Sequence, residues 1–244
     1  MKNLHSKTRR WLFAPAAAAL LISGCNRHDS GNSAAKAPAS PQVAAGAETS
    51  RNRVMRTAAE PFEVLTEQAF TAPWPEADRL IADARSAAAT ARNLLPARMA
   101  PSLDARLAAL ATARQAQDRR GVAIAAVETY RLLVEAQDAT AQVPIPISLL
   151  DYAGFRYDAL AQAHNVDWAA MEQAARFAGD QWRAIAPSIA SPALRGVMPQ
   201  SIDAMAAAVR ERNVPFARSA AATELALVDL LEEHVATRHR ADGR

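Results

Sequence analysis

WAAMEQAARFAGDQWRAI, residues 168–185, carries the sharpest pattern in the chain. Trp168, Met171, Ala175, Ala178, Trp182 and Ile185 alternate steps of three and four, with charged residues between them. That spacing predicts an α-helix with a narrow, coiled-coil-like apolar stripe, beginning after Asp167.

Similar periods extend outward on both sides. Upstream, Ala77, Ile81, Ala84, Ala88, Ala91 and Leu95 form an alanine-rich seam that predicts a helix over residues 75–95, with Pro75 at its first position. A second helix is predicted from Ser102 to about Asp138, with a break or kink at Gly121. Val143-Pro144-Ile145-Pro146-Ile147 is expected to be an extended crossover, because each proline disfavours helix at the preceding residue. A shorter helix follows over residues 148–163, where Ser148 and Asp151 have the spacing of a weak capping box. The last helix is predicted over residues 199–234, bent by Pro215, with Met198, Ile202, Met205, Val209, Phe216, Leu227 and Leu231 on one face.

No alternating Val/Ile/Thr run is long enough for a strand, so the fold class is all-α, an antiparallel bundle of about five helices. A shift of about 91 residues places Leu94, Pro96, Pro101 and Leu103 on Ile185, Pro187, Pro192 and Leu194. With a short insertion, Ala123, Thr129 and Leu133 then meet Ala217, Thr223 and Leu227. The expectation is two duplicated helical hairpins joined by the proline-rich crossover.

The start of the chain has a different character. Lys2, Lys7, Arg9 and Arg10 precede an apolar run from Trp11 to Ile22, and Ile22-Ser23-Gly24 leads into Cys25, the one cysteine in 244 residues. This stretch resembles a bacterial lipoprotein signal. The resemblance implies cleavage after Gly24, a diacylglyceryl thioether on Cys25 and an acylated mature amino terminus. A lone thiol in an exported protein has no partner for an internal disulfide, and acylation would cap it. Asn26, where an aspartate would resemble an inner-membrane retention signal, implies the outer membrane, facing the periplasm. The expected organisation is a signal peptide over residues 1–24, an acylated cysteine and flexible tether over 25–56, and a helical domain over 57–244.

The overall pI of about 9.4 does not point to nucleic acid. The signal holds four of the 28 Lys and Arg residues and none of the 25 acids, and the tether holds Arg27, Lys36, Arg51, Arg53 and Arg56 against Asp29 and Glu48. The helical part is therefore slightly acidic, so no basic patch is expected to draw it to nucleic acid. The partners expected are the membrane through the lipid, an envelope protein or small ligand, and a second copy of the chain through the long seams.

No catalytic motif emerges, and the protein is expected not to be an enzyme and to carry no cofactor. Haem attachment through Cys-x-x-Cys-His needs two cysteines, and the Glu-x-x-His pairs of a di-iron bundle and the His-Glu-x-x-His of zinc proteases are missing. The alternative is a His/Met haem or copper site drawn from His164, Met171, Met198 and Met205, or from Met99 and His234. The chain resembles four-helix b-type cytochromes only in bundle architecture. The favoured reading of these methionines is core packing. A second polar group, Glu128, Tyr130 and Arg131 with Asp151, Tyr152 and Tyr157, is the candidate ligand site. Arg131 shares a stripe with Ile124, Val127 and Val134, so it is expected to face inward and to meet Asp151, Glu128 or a ligand anion.

Overall fold

The computed structural model of the protein describes residues 48–242, with side chains to residue 238. Among these residues all regular structure is helical. It comprises α1 (Ser50–Gln68), α2 (Trp74–Arg92), α3 (Ala100–Gln115), α4 (Arg119–Glu135), α5 (Ile145–Ala161), α6 (Trp168–Ile185), α7 (Pro192–Arg210) and α8 (Val214–Asp242), with a short 3-10 turn at Ala186–Ser188. The all-α expectation holds, whereas eight helices replace the five expected.

The two clearest seams lie where their period puts them. Ala77, Ile81, Ala84, Ala88, Ala91 and Leu95 are all buried, as are Met171, Ala175, Ala178, Trp182 and Ile185. Asp167 caps α6 by accepting the backbone N–H of Ala170 at 3.0 Å.

The two long predicted helices are each split by a turn of one kind. After α3 the chain passes through Gln117 at φ 55°, and after α7 through Arg212 at φ 50°. One left-handed residue ends a helix without proline or glycine. Asp118 then caps α4 by accepting the N–H of Gly121 at 2.9 Å, and Asn213 caps α8 by accepting that of Phe216 at 3.1 Å. Gly121 is therefore not the break. It lies in the first turn of α4, where a Cβ would stand 2.5 Å from Asp118 Oδ2 and 2.8 Å from Ala113 Cβ. Pro215 likewise sits in the opening turn of α8, where its missing N–H is not needed, and no bend follows from it. The extended crossover ends at Pro144 (ψ 129°), because Pro146 is accommodated in the first turn of α5. Ser148 and Asp151 thus lie inside that helix, and no capping box forms.

The helix α1 was not legible. Residues up to 56 read as tether, but helix begins at Ser50, capped by Thr49 Oγ1, which accepts the N–H of Asn52 at 3.2 Å. Met55, Phe62 and Leu65 are fully buried, and Pro61 lies within the helix. Asn52 is also fully buried: its amide donates to Asp138 Oδ1 at 2.8 Å and Thr140 Oγ1 at 2.9 Å, and its carbonyl accepts the N–H of Asp138 at 3.1 Å.

The helices pack in two like halves. α1 lies against α2 and α4, and α3 against α4; α5 lies against α6 and α8, and α7 against α8 and α6; α4 and α5 join the halves. Fully or nearly buried positions coincide at offsets that differ by one residue between the two helix pairs. Leu103, Leu110 and Ala113 of α3 stand 95 residues before Met198, Met205 and Ala208 of α7, and Ala77, Ala84, Ala88 and Ala91 of α2 stand 94 residues before Met171, Ala178, Trp182 and Ile185 of α6. The structural offset thus differs from the sequence match of about 91 residues built on the prolines.

Replacing Asn52 strands buried partners, so Asn52→Ala is expected to cost about 1–3 kcal/mol of unfolding free energy. Urea denaturation of the purified protein measures it, and a loss below a few tenths would show that residues 50–56 do not belong to the folded part.

Candidate functional site

Glu128, Tyr130 and Arg131 lie on α4 and Asp151, Tyr152 and Tyr157 on α5, where they enter separate contacts. Tyr152 donates its hydroxyl to Glu128 Oε1 at 2.8 Å, and Arg106 Nη1 from α3 reaches Glu128 Oε2 at 3.1 Å and its backbone carbonyl at 2.8 Å. Arg156 Nε lies 3.1 Å from Glu128 Oε1 without the alignment of a hydrogen bond. Tyr157 donates to the Met205 carbonyl at 2.8 Å and Tyr130 to Asp151 Oδ2 at 3.2 Å. Burial, together with the Glu128 carboxylate, pushes the Tyr152 phenol up to about 12, and burial alone does the same for Tyr157.

Arg131 does not pair with Asp151. Its Nε donates to Glu135 Oε1 at 2.7 Å, one turn along the same helix, and its guanidinium lies 5.2 Å from the centre of the Tyr152 ring and 4.9 Å from that of Phe177. These rings meet edge to face at 5.5 Å. Arg131 is thus a half-buried cation stacked on aromatic faces, a geometry that planar guanidinium favours. Its stripe neighbours Val127 and Val134 are buried; the long side chain instead carries its charge out to the edge of the α4–α5 contact.

Asp151 belongs to a different group. It is buried at the junction, where Tyr130 is its hydrogen-bond donor and Glu63 of α1 and Glu224, Asp229 and Glu232 of α8 supply further negative charge. Burial first, and these neighbours second, raise its pKa well above the ordinary carboxylate range. Glu224 is fully buried, and among the described residues neither of its carboxylate oxygens has a hydrogen-bond partner. It lies against α5 where a Cβ on Gly154 would come within 2.0 Å of Oε2, so only glycine leaves room for it. Burial raises Glu224 well above its usual value and brings Glu232 to about 7.

The methionine and histidine candidates are dispersed. Met171 and Met205 are fully buried in one core cluster and Met198 in another, whereas His164 is exposed in the loop after α5. Met99 packs at the edge of the third cluster, and His234 Nε2 is buried with no hydrogen-bond partner among the described residues. Among these residues no three His, Cys, Asp or Glu side chains come together in a way that could hold a metal ion.

A further concave surface lies elsewhere, between α6 and α7. It encloses about 800 Å³, with Ala175, Gly179, Ile202 and Ala206 along its floor and Trp168, Arg210 and Arg212 at one end. Its form is clearest beside the equivalent pair in the first half. There α2 and α3 are clasped twice: Arg92 donates to both carboxylate oxygens of Asp104 at 3.0 and 2.7 Å, and Arg114 to both of Asp78, one of them at 2.8 Å. Trp74 is covered by the guanidinium groups of Arg114 at 4.5 Å and Arg119 at 4.4 Å. At the offsets already given, the clasp positions fall on Glu172, Ala186, Pro199 and Val209, and Trp74 falls on Trp168. Glu172 and Asp180 pair with Arg176 and Arg183 within α6 instead of bridging to α7. Among the described residues the guanidinium groups of Arg210 and Arg212 have no ion-pair or hydrogen-bond partner. The ion-pair clasps of the first half thus have no counterpart between α6 and α7 among the described residues, and these helices hold together by direct packing and leave a groove along their contact.

Of these groove residues the apolar stripes of the sequence include Trp168, Ala175, Ile202 and Val209, but nothing in the pattern marks a groove. The relevant signal is the pair Arg210 and Arg212 around a left-handed turn, visible only once α7 is known to end there. No family model, curated protein or solved structure matches this chain.

The buried acids fix the sign of a pH effect. A carboxyl whose folded pKa is raised stabilises the fold fully below its ordinary value near 4.5, and that contribution is lost as pH rises through the folded pKa. Stability is thus expected to fall as pH climbs from about 5 to 8, where Glu232 titrates, with Glu224 and Asp151 extending the loss upward. Thermal melts across that range check it. Glu224→Gln should flatten the slope and raise the melting temperature by about 2–4 °C at the alkaline end; a melting temperature that rises steadily with pH would contradict it.

Proposed function

We propose that this protein is a lipid-anchored, non-catalytic binding module of the bacterial cell envelope, held on the periplasmic side of the outer membrane through Cys25. Both Cys25 and the apolar run before it lie outside the described residues, and the reading of the anchor rests on the signal-like sequence. Among the described residues no helix is long and apolar enough to cross a membrane. Attachment in this proposal is therefore through the lipid, with the stretch between Cys25 and Ser50 as the spacer.

The helical part is, in this reading, a tandem of one four-helix unit. What supports duplication is the shared order of packing, the matched left-handed turns at Gln117 and Arg212, and the coincident buried positions. The unit repeated is larger than a hairpin. The observation that carries the binding function is the divergence between the halves. Two bidentate ion pairs bridge α2 and α3, while of the four equivalent positions in the second half only Glu172 keeps a charge, and Arg210 and Arg212 stand without an ion-pair partner among the described residues near the half-buried Trp168. Pre-formed concave surfaces with a few convergent polar groups are where proteins bind partners.

The anchor has a direct test. Cys25→Ala should shift the protein from the membrane to the soluble fraction, abolish incorporation of labelled palmitate and leave the precursor uncleaved. A membrane-bound, correctly cleaved Cys25→Ala protein would remove the anchor from the proposal.

A further inference from the structure

We infer that the α6–α7 groove is a docking site for one helix of a partner protein, and that the helix is acidic at the end that meets Arg210 and Arg212. The inference rests on the binding-module reading above but not on the lipid anchor.

Length argues for a helix. The groove runs from Trp168 to Arg183 along α6, and at 1.5 Å per residue that is on the order of 22 Å, or four turns. A small ligand would leave most of that length empty. A straight helix matches it, and grooves of this kind take amphipathic helices by their apolar stripe. The floor argues for close approach. Ala175 and Gly179 of α6 and Ala206 of α7 are small, and Ile202 of α7 adds apolar surface beside them. Gly179 is not needed for internal packing, because a Cβ there would meet only Ile202 Cγ2, at 3.9 Å, an ordinary contact. The space above it is free for an incoming side chain.

Charge argues for the polarity of the partner. Four arginines line the groove against three acids, Glu172, Asp180 and Asp203. Glu172 and Asp180 are already engaged by Arg176 and Arg183 within α6. The uncommitted positive charge is thus concentrated at one end, on Arg210 and Arg212, next to Trp168. Carboxylates on the incoming helix can be held there by paired N–H donors of a guanidinium, as the aspartates of α2 and α3 are held in the first half. Asp203, uncommitted and farther along α7, disfavours a partner acidic along its whole length.

The experiment uses the full chain, solubilised in detergent, and a defined probe. The probe is a fluorescein-labelled helical peptide of about 18 residues, alanine-rich with one leucine stripe and two glutamates at one end. Its control carries lysines in place of the glutamates. Fluorescence anisotropy is expected to give at least tenfold tighter binding for the glutamate peptide. Two variants test the location. Arg210→Glu with Arg212→Asp should invert the preference, and aspartate is chosen at position 212 because it tolerates the left-handed backbone there. Gly179→Gln fills the floor without disturbing the fold and should weaken the glutamate peptide at least tenfold. Retained helicity and melting temperature establish that both variants fold. Failure of the glutamate peptide to bind, equal binding of the two peptides, or binding unchanged in both variants would overturn the inference. Sedimentation of the chain alone provides the last arm: a dimer dissociated by the same variants would mean that a second copy, not a partner protein, occupies the groove. Membrane fractionation of Cys25→Ala is independent of all these outcomes, so failure of the docking site and failure of the anchor are distinguishable.

Discussion

The contact between α4 and α5 is the constraint on which the rest of the molecule depends. These two helices are covered by neighbours along most of their length and join the halves, so every polar group they carry must find a partner inside. Tyr130, Tyr152 and Tyr157 meet that demand by reaching across to a carboxylate or a carbonyl, with their apolar rings filling the core. Glu128 is surrounded by two arginines and a tyrosine hydroxyl. Within this network Arg106 Nε and Arg156 Nε stay buried without a hydrogen-bond partner among the described residues. The groove along the α6–α7 contact lies on the outer helices, away from this network.

How much of this was legible depended on how strongly each segment repeats. α2 and α6 carry unbroken three-four seams, and their boundaries lie within a few residues of the pattern. α3 and α4, like α7 and α8, read as single helices because the apolar period continues across the turn. The interruption is a left-handed Gln117 or Arg212, residue types that carry no turn signal. Prolines misled in the opposite direction. Pro61 and Pro199 lie within helices and Pro146 and Pro215 in first turns, positions where the backbone tolerates them. α1 escaped notice because its core residues, Met55, Phe62 and Leu65, are spaced among alanines and arginines that match the tether in composition.

The candidate site was legible as a group of residues and not as a geometry. The tyrosines and acids of α4 and α5 enter separate contacts, and stripe position alone does not tell a buried arginine from one that folds its stem along an aromatic face. Asp151 illustrates the same limit. Its partner is a tyrosine, and its surroundings include acids from α1 and α8 that are distant in sequence. The groove was invisible because it is defined by a difference, the clasps that α2 and α3 possess and α6 and α7 lack.

Packing order has one more consequence, for how the chain reaches this state. Apart from the α4–α5 seam, the principal contacts stay within a half, and within each half they join helices adjacent in the chain or the first helix to the fourth. Loops that must close are therefore short, and the entropy lost in closing them grows only slowly with length. Low contact order of this kind goes with rapid folding. The first half, α1 to α4, can gather its core before the later segments join it.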